Sequence, residues 1–337
     1  MDLYIDKANL NSLIRQKSTN SLYFDCVKLM KKQLNVFFNF PKSELKTNTN
    51  LMTWFMTMSQ GVGSSNSFTF DSNFPVKPLK SNSARFFTSE QLSSIYLLDG
   101  DGVEKFKNSG AVLIGAVGEE IDVFNKLFFN QDDYLFDKRW KIGADDFKSW
   151  GDLKRCSLPL SDIIIIDPYV VSDIHSIKNN LLPYLKCLTD KTRSSVNIVI
   201  YTNREKCVDY SELSPLIRAA VKSVTDVKPN FTLVTFIQKR GVPSKQAEHD
   251  RTILMNYDRI YTGDTINFFN TDGEVITNGR EIHYSSLAKD ENHRLATTLI
   301  EDLQTNIKFL EVNNPICIQG DKKSGYLKFE NATPLHD

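Results

Sequence analysis

Apolar positions along the chain fall into short runs that change period several times, and the changes predict the elements. In the first half, Leu22–Gln33 carries helical spacing, Leu34–Phe40 reads as a strand, and Leu51–Met58 is apolar enough for a buried helix. The stretch Ser59–Ala84 collects Gly, Ser, Asn and the breakers Gly63, Pro75 and Pro78, and is expected to be a long loop. Thr88 or Ser89 is placed to cap a helix running to about Leu98. Ala111–Ala116 reads as a short buried strand feeding a helix over Glu119–Phe129, and Asp132–Lys154 as irregular. The second half alternates more cleanly. Asp162–Val171 holds Ile163–Ile166, a continuous apolar run typical of a strand buried on both faces. Ser172 or Asp173 then caps a helix to about Leu188. Val196–Thr202 and Phe231–Ile237 read as strands separated by a helix over Leu213–Ser223. Asp250–Asn256 and Asp258–Thr262 pair as a hairpin around Asn256-Tyr257, and a last helix covers about Arg294–Leu310. This order predicts an α/β fold with right-handed crossovers. Residues 1–150 are expected to form an N-terminal α/β domain, and 151–337 a second domain with a mixed sheet flanked by helices.

At 337 residues the chain is long enough for about two domains of ordinary size. Its 41 basic and 41 acidic side chains cancel, which excludes a globally basic nucleic-acid coat but leaves room for a local basic patch. Five cysteines (Cys26, Cys156, Cys187, Cys207, Cys317) are widely spaced with no C-x-x-C pair, so neither a disulfide framework nor a zinc site is expected. The opening residues lack the basic and apolar regions of a signal peptide, and no apolar run approaches the ~20 residues of a membrane span. A cytoplasmic location is expected, with no cofactor and no metal.

The segment from Glu248 to Phe269 carries the candidate chemistry. Strand alternation puts His249 and Arg251 on one face and Asp250 on the other. A guanidinium fork neutralises a phosphate, and an imidazole beside it serves as donor, acid or nucleophile. Gly263 is expected to let a turn bring the amides and side chains of Asp264–Asn267, Thr265 and Asn267 among them, to the same anion. The bland alternatives are a histidine bonded to a backbone carbonyl, a surface ion pair for Arg251, and a turn role for Asp167 before Pro168. Between Lys222 and Arg259 seven basic residues face four acidic ones, and Lys239-Arg240 lead towards His249, as suits an approaching polyanion. Tyr257, Tyr261, Phe268 and Phe269 are placed to stack on bases, or else to pack in the core.

The same segment resembles the phospholipase D superfamily motif, H-x-K-x4-D followed by a G-S-x-N turn. It resembles still more the divergent branch typified by the C-terminal domain of MIT-domain proteins. There H-D-R, an apolar strand and G-x-G-L-D-Y-F follow one another, as do His249-Asp250-Arg251 and Gly263-Asp264-Thr265-Ile266-Asn267-Phe268-Phe269 here. Asp167-Pro168-Tyr169 is similar to the end of that domain's first strand, and the likeness covers about residues 155–312. The chain departs from the superfamily pattern in three places. Arg251 stands for the lysine, the motif aspartate falls at Asn256, and one residue is inserted before Asn267. The resemblance implies phosphate binding by His249, Arg251, Thr265 and Asn267, aided by Lys239 and Arg240. With one motif per chain, it implies catalysis only in a homodimer, where two His249 side chains meet; Arg251 and Asn267 would then stabilise the transition-state oxygens.

In the first half, Tyr4-Ile5-Asp6-Lys7-Ala8-Asn9 looks like the opening strand of NYN/PIN-like nucleases, in which D-x-x-N begins an acidic metal site. Asp99, Asp101, Glu119, Glu120 and Asp122 match the remaining carboxylates by residue type alone. Gly115-Ala116-Val117-Gly118 lacks the G-x-G-x-x-G spacing and is expected to serve helix–strand packing. Asp99-Gly100-Asp101-Gly102 reads as a turn, and His283 and His293 are assigned no role.

The reading that emerges is a phosphate-recognising, nucleic-acid-binding accessory protein, with the N-terminal domain supplying contacts to a homodimer or larger complex. Such a chain suits a prokaryotic defence or mobile-element system. The alternatives are a metal-independent phosphodiesterase or nuclease with His249 as nucleophile, and a module for anionic lipid surfaces or protein partners.

Overall fold

The computed structural model describes residues 1–32, 34–60, 68–70, 93–99, 103, 111–125, 137–144, 147–156, 158–193, 195–237, 251–276 and 279–330. It is an α/β protein with two sheets, each flanked by helices. Two compact units divide it: Met1–Phe136 with Ser286–Arg294, and Asp137–Ser285 with Leu295–Asp337. No helix among the described residues is long and apolar enough to cross a membrane.

The first unit is built on β1 (Asp2–Ile5), β2 (Asn35–Phe38), β3 (Phe68–Phe70), β4 (Ile95–Leu97) and β5 (Leu113–Gly115). Their order is β3-β2-β1-β4-β5, with every neighbour parallel. Register sets Tyr4 opposite both Phe37 and Tyr96, and the three rings stack at 4.7 Å across the sheet. Helices α1 (Lys7–Gln16), α2 (Ser21–Lys32), α3 (Thr49–Ser59) and α4 (Val117–Asn125) accompany these strands. Two expectations change. The apolar run expected to end a helix at Leu98 is β4, because Ile95, Tyr96 and Leu97 are buried beside the central strand β1. Phe68–Phe70, inside the expected loop, pairs with β2 and packs Phe70 against Phe38 and Phe55.

The second unit has an eight-stranded mixed sheet. Its strands are β6 (Asp137–Lys141), β7 (Asp162–Ile166), β8 (Val196–Asn203), β9 (Pro229–Phe236), β10 (Arg251–Met255), β11 (Asp258–Thr262), β12 (Glu281–Ser286) and β13 (Ile318–Gly320), in the order β13-β9-β8-β7-β10-β11-β12-β6. β7, β8 and β9 run parallel at the centre, and β10 and β11 form the expected hairpin. Asp137–Lys141, expected to be irregular and read with the first half, is a strand of this sheet, antiparallel to β12. Its Trp140 joins an aromatic core with Phe147, Trp150, Phe268 and Phe269. After β7 the chain enters helix at Ile174, passes through a π-wound turn at Ile177–Leu181, and continues as α5 (Leu182–Thr189). α6 (Tyr210–Lys222) and α7 (Asp290–Asn313) follow.

Candidate anion site at the carboxyl ends of the second sheet

Parallel strands deliver their carboxyl ends to one side, and loops there carry ligand-binding groups in open α/β sheets. β7 ends at Ile166 and β8 at Asn203; antiparallel β10 begins on the same side, since Thr252 lies opposite Ile166. Arg251 therefore stands beside the loop that leaves β7. Asp167 opens that loop and is buried, at 1% exposure. Its Oδ1 accepts the Tyr169 amide at 2.8 Å, an Asx turn over Pro168, and the Thr265 hydroxyl at 3.1 Å. Its Oδ2 accepts the Ile266 amide at 3.1 Å. Burial raises the Asp167 carboxyl above its ordinary value, while these three donors and the nearby Arg251 charge pull it back down. Asp167 is thus both a turn residue and the clamp that fixes the Gly263–Asn267 segment beside Arg251.

Tyr169 is half-buried, with the Arg251 guanidinium carbon 6.0 Å and the Lys206 ammonium 4.8 Å from its ring centroid. Lys206 belongs to the short helix Arg204–Lys206 immediately after β8. Two cations converging on one ring at the mouth of three parallel strands make a setting for an anion. Sequence reasoning missed Lys206, although a basic residue just past a strand that reads as buried is a legible signal.

The other expected residues are placed less directly. His249, Lys239 and Arg240 lie outside the described residues. Thr265 gives its hydroxyl to Asp167, and Asn267 accepts the Asn180 amide group through Oδ1 at 3.2 Å. Asn180, fully buried in the π-wound turn, also accepts the Phe268 and Phe269 amides at 2.8 and 2.9 Å. Two of the four amides expected to face an anion are used internally: Ile266 donates to Asp167, and Asn267 donates to the Thr265 carbonyl. Gly263 has no left-handed φ, and a Cβ there meets nothing within 4 Å, so the turn needs no glycine. Asn256, where the motif aspartate falls, lies at the other end of β10. Five residues of strand put it roughly 17 Å from Arg251. There it accepts the Ser161 and Asp162 amides and donates to Tyr326. Phe268, Phe269 and Tyr257 are buried core residues; of the four candidate stacking aromatics only Tyr261 reaches the surface.

In the first unit, Asp6 stands where β1 ends, beside the crevice between β1 and β4 at which the strand order reverses. It caps α1, taking the Asn9 amide at 2.7 Å and the Asn9 side chain at 3.0 Å on Oδ1, and the Asp99 amide at 2.8 Å on Oδ2. Asn9 in turn accepts the Val117 amide at 2.6 Å. The D-x-x-N pair thereby ties β1, β4 and the start of α4 together. Asp101 and the Asp122 side chain lie outside the described residues. Among the described residues no three His, Cys, Asp or Glu side chains converge as a metal site. Cys26, Cys187, Cys207 and Cys317 are free thiols.

No family model and no curated protein matches this chain. Among solved structures it is similar to the polyphosphate kinase from Porphyromonas gingivalis, at 14% identity and a TM-score of 0.24. The match covers 48% of this chain and 26% of the kinase, so this chain spans about a quarter of that protein. A likeness of that size carries no argument about fold or activity.

Proposed function

We propose that the second unit is a phosphate-recognising module, related to the phospholipase D superfamily through its divergent non-catalytic branch, that binds nucleic acid. The convergence of Arg251 and Lys206 on Tyr169 supports this reading above all. Arg251 supplies the fork for phosphate oxygens, Lys206 a second positive charge, and Asp167 positions the loop without occupying the mouth. His249, two residues before Arg251 in the sequence, is assigned an assisting role in this reading. Removing a charge-assisted contact of this kind costs about 1.5–3 kcal/mol, or roughly ten- to hundredfold in affinity.

The test uses labelled single- and double-stranded DNA and RNA in EDTA, with wild type, Arg251→Ala and His249→Ala. Salt-sensitive binding that Arg251→Ala abolishes and His249→Ala weakens only modestly is the expected outcome. Metal-independent cleavage lost in His249→Ala would instead establish the homodimeric phosphodiesterase. Absence of both would remove nucleic acid as the ligand and turn attention to anionic lipid vesicles.

A second reading is favoured by the position of Asp6 at the strand-order reversal of the first unit. There the resemblance to NYN/PIN-like nucleases implies a nucleic-acid crevice, with Asp6 and Asn9 as its frame and Asp99 its exposed carboxylate. With magnesium in place of EDTA, binding or cleavage that persists in Arg251→Ala but disappears in Asp99→Ala would favour it.

A further inference from the structure

The outer strands β11, β12 and β6 form a sheet with one buried and one open face. Ile260, Ile282, Tyr284 and Trp140 point inward and are buried. Their alternates point outward: Arg259, Tyr261 and His283 are half-exposed, and Glu281, Arg139 and Lys141 exposed. Register places His283 opposite Arg139 and Glu281 opposite Lys141. The His283 ring meets Tyr261 edge-on, with centroids 5.9 Å apart at 84°, and the Arg259 guanidinium carbon lies 5.5 Å from the Tyr261 centroid. Glu281 meets His283 Nε2 at 3.4 Å and faces Lys141, and the exposed Asp137 lies on the same face opposite Ser285; Arg139, Lys141 and Arg259 against these two carboxylates leave the face a small net positive charge.

A solvated sheet face is ordinarily a mixture of charges. This one sets two rings side by side within a frame of Arg139, Lys141 and Arg259. Rings on an open sheet give unpaired bases a surface to stack on, and flanking cations track the phosphates. A folded protein partner would be expected to cover apolar side chains, and this face has none beyond the rings.

We infer that the open face of β11, β12 and β6 is a binding surface for single-stranded nucleic acid, with Tyr261 and His283 as the stacking platform and Arg139, Lys141 and Arg259 as phosphate contacts. It is distinct from the anion site: Arg251 lies opposite Thr262, which belongs to the buried face of β11, so the two sites are on opposite faces of the sheet. The inference stands or falls independently of the function proposed for Arg251.

The test is fluorescence anisotropy of the full chain with labelled oligo(dT) and oligo(rU) over a salt series. Variants are Tyr261→Ala, Tyr261→Phe, Arg139→Glu and Arg251→Ala. Tyr261→Ala is expected to weaken binding by about tenfold, the loss of one stacked base, with the salt slope unchanged. Tyr261→Phe should retain affinity, and Arg139→Glu should both weaken binding and flatten its salt dependence. Binding of either oligonucleotide with that pattern supports the surface. No binding by wild type overturns it, as does equal binding by wild type, Tyr261→Ala and Arg139→Glu. Loss in Arg251→Ala alone would assign the oligonucleotide to the other site and overturn it too.

Discussion

Asp258 begins β11 with its side chain 2% exposed and one hydrogen bond, from the Tyr284 hydroxyl at 2.8 Å. Its Oδ1 has no partner among the described residues, and Asp258 is one of the residues lining a cavity of about 10 Å³, room for roughly one water molecule. Burial outweighs the Tyr284 bond and lifts the carboxyl from 3.8 to about 8. The folded chain therefore holds a proton on Asp258 that the unfolded chain releases above about pH 4. Stability from this group is complete below 3.8 and is lost as pH rises towards 8. Asp162 has the same sign, but its carboxyl is raised only to about 6, so its share of the decline ends earlier. Asp258→Asn keeps the acceptor for Tyr284 and removes the titration. Thermal melts from pH 4 to 9 should show the variant matching wild type near pH 4, gaining on it steadily up to about pH 8 and keeping that margin above it. Parallel wild-type and variant curves would mean that Asp258 is ionised in the fold.

At the scale of elements, the π-wound turn at Ile177–Leu181 connects scaffold to site. It presents Asn180 to the Phe268 and Phe269 amides and to Asn267, while Asp167 holds the preceding Thr265 and Ile266. Asn180→Ala would leave two buried amides without acceptors, at about 1–3 kcal/mol each. Denaturant titration should register a loss of about 2–5 kcal/mol, and amide exchange should quicken first at residues 265–269; a loss below about 1 kcal/mol with unchanged exchange would show that the aromatic core alone holds the segment. Asn180 was not legible in the sequence, because nothing local marks an asparagine whose partners lie nearly ninety residues away. The β7–β11 core was legible, since Ile163–Ile166 and the hairpin at Asn256-Tyr257 carry long or paired signals. β4, with three residues, is too short to show a period, and in the sequence its apolar run reads as the end of a helix. β6, Asp137-Lys138-Arg139-Trp140-Lys141, hides a single buried tryptophan among charges, as suits an edge strand with one solvated face. Arg251 and Asp167 were readable as a pair of motifs, whereas the inward use of the Ile266 and Asn267 amides was not, because hydrogen-bond partners across a fold leave no trace in spacing.

On the scale of the whole molecule, the second unit places its candidate anion site and its closing segment at opposite ends of its central strands. The carboxyl ends carry Arg251, Lys206 and Tyr169; the amino ends are closed by the segment after β13. Asp321 accepts the Arg218 guanidinium at 2.5 Å and the Phe231 amide at 2.8 Å. Asp162, fully buried, receives the Gly325 amide at 2.6 Å and the Ser324 hydroxyl at 3.1 Å, with Ser161 and Asn197 completing its shell. Tyr326 bonds Asn256, so the position at which the superfamily's motif aspartate is expected serves here to hold this segment. Ending the chain after Gly320 would strip Asp162 of two of its four donors, leave the Phe231 amide without its carboxylate, and expose the apolar surface under Tyr326, Leu327 and Phe329. An uncompensated buried carboxylate is among the costlier defects a fold can carry. The truncated chain is expected to lose cooperative unfolding of residues 137–320 or to melt at least 10 °C lower, a shift of about 3 kcal/mol or more for a unit this size. Asp162→Asn in the truncated chain should recover part of that loss, because the amide needs fewer donors than the charge. Recovery would locate the defect at Asp162; a truncated chain that melts like wild type would show that the amino ends of β7–β9 close without the segment.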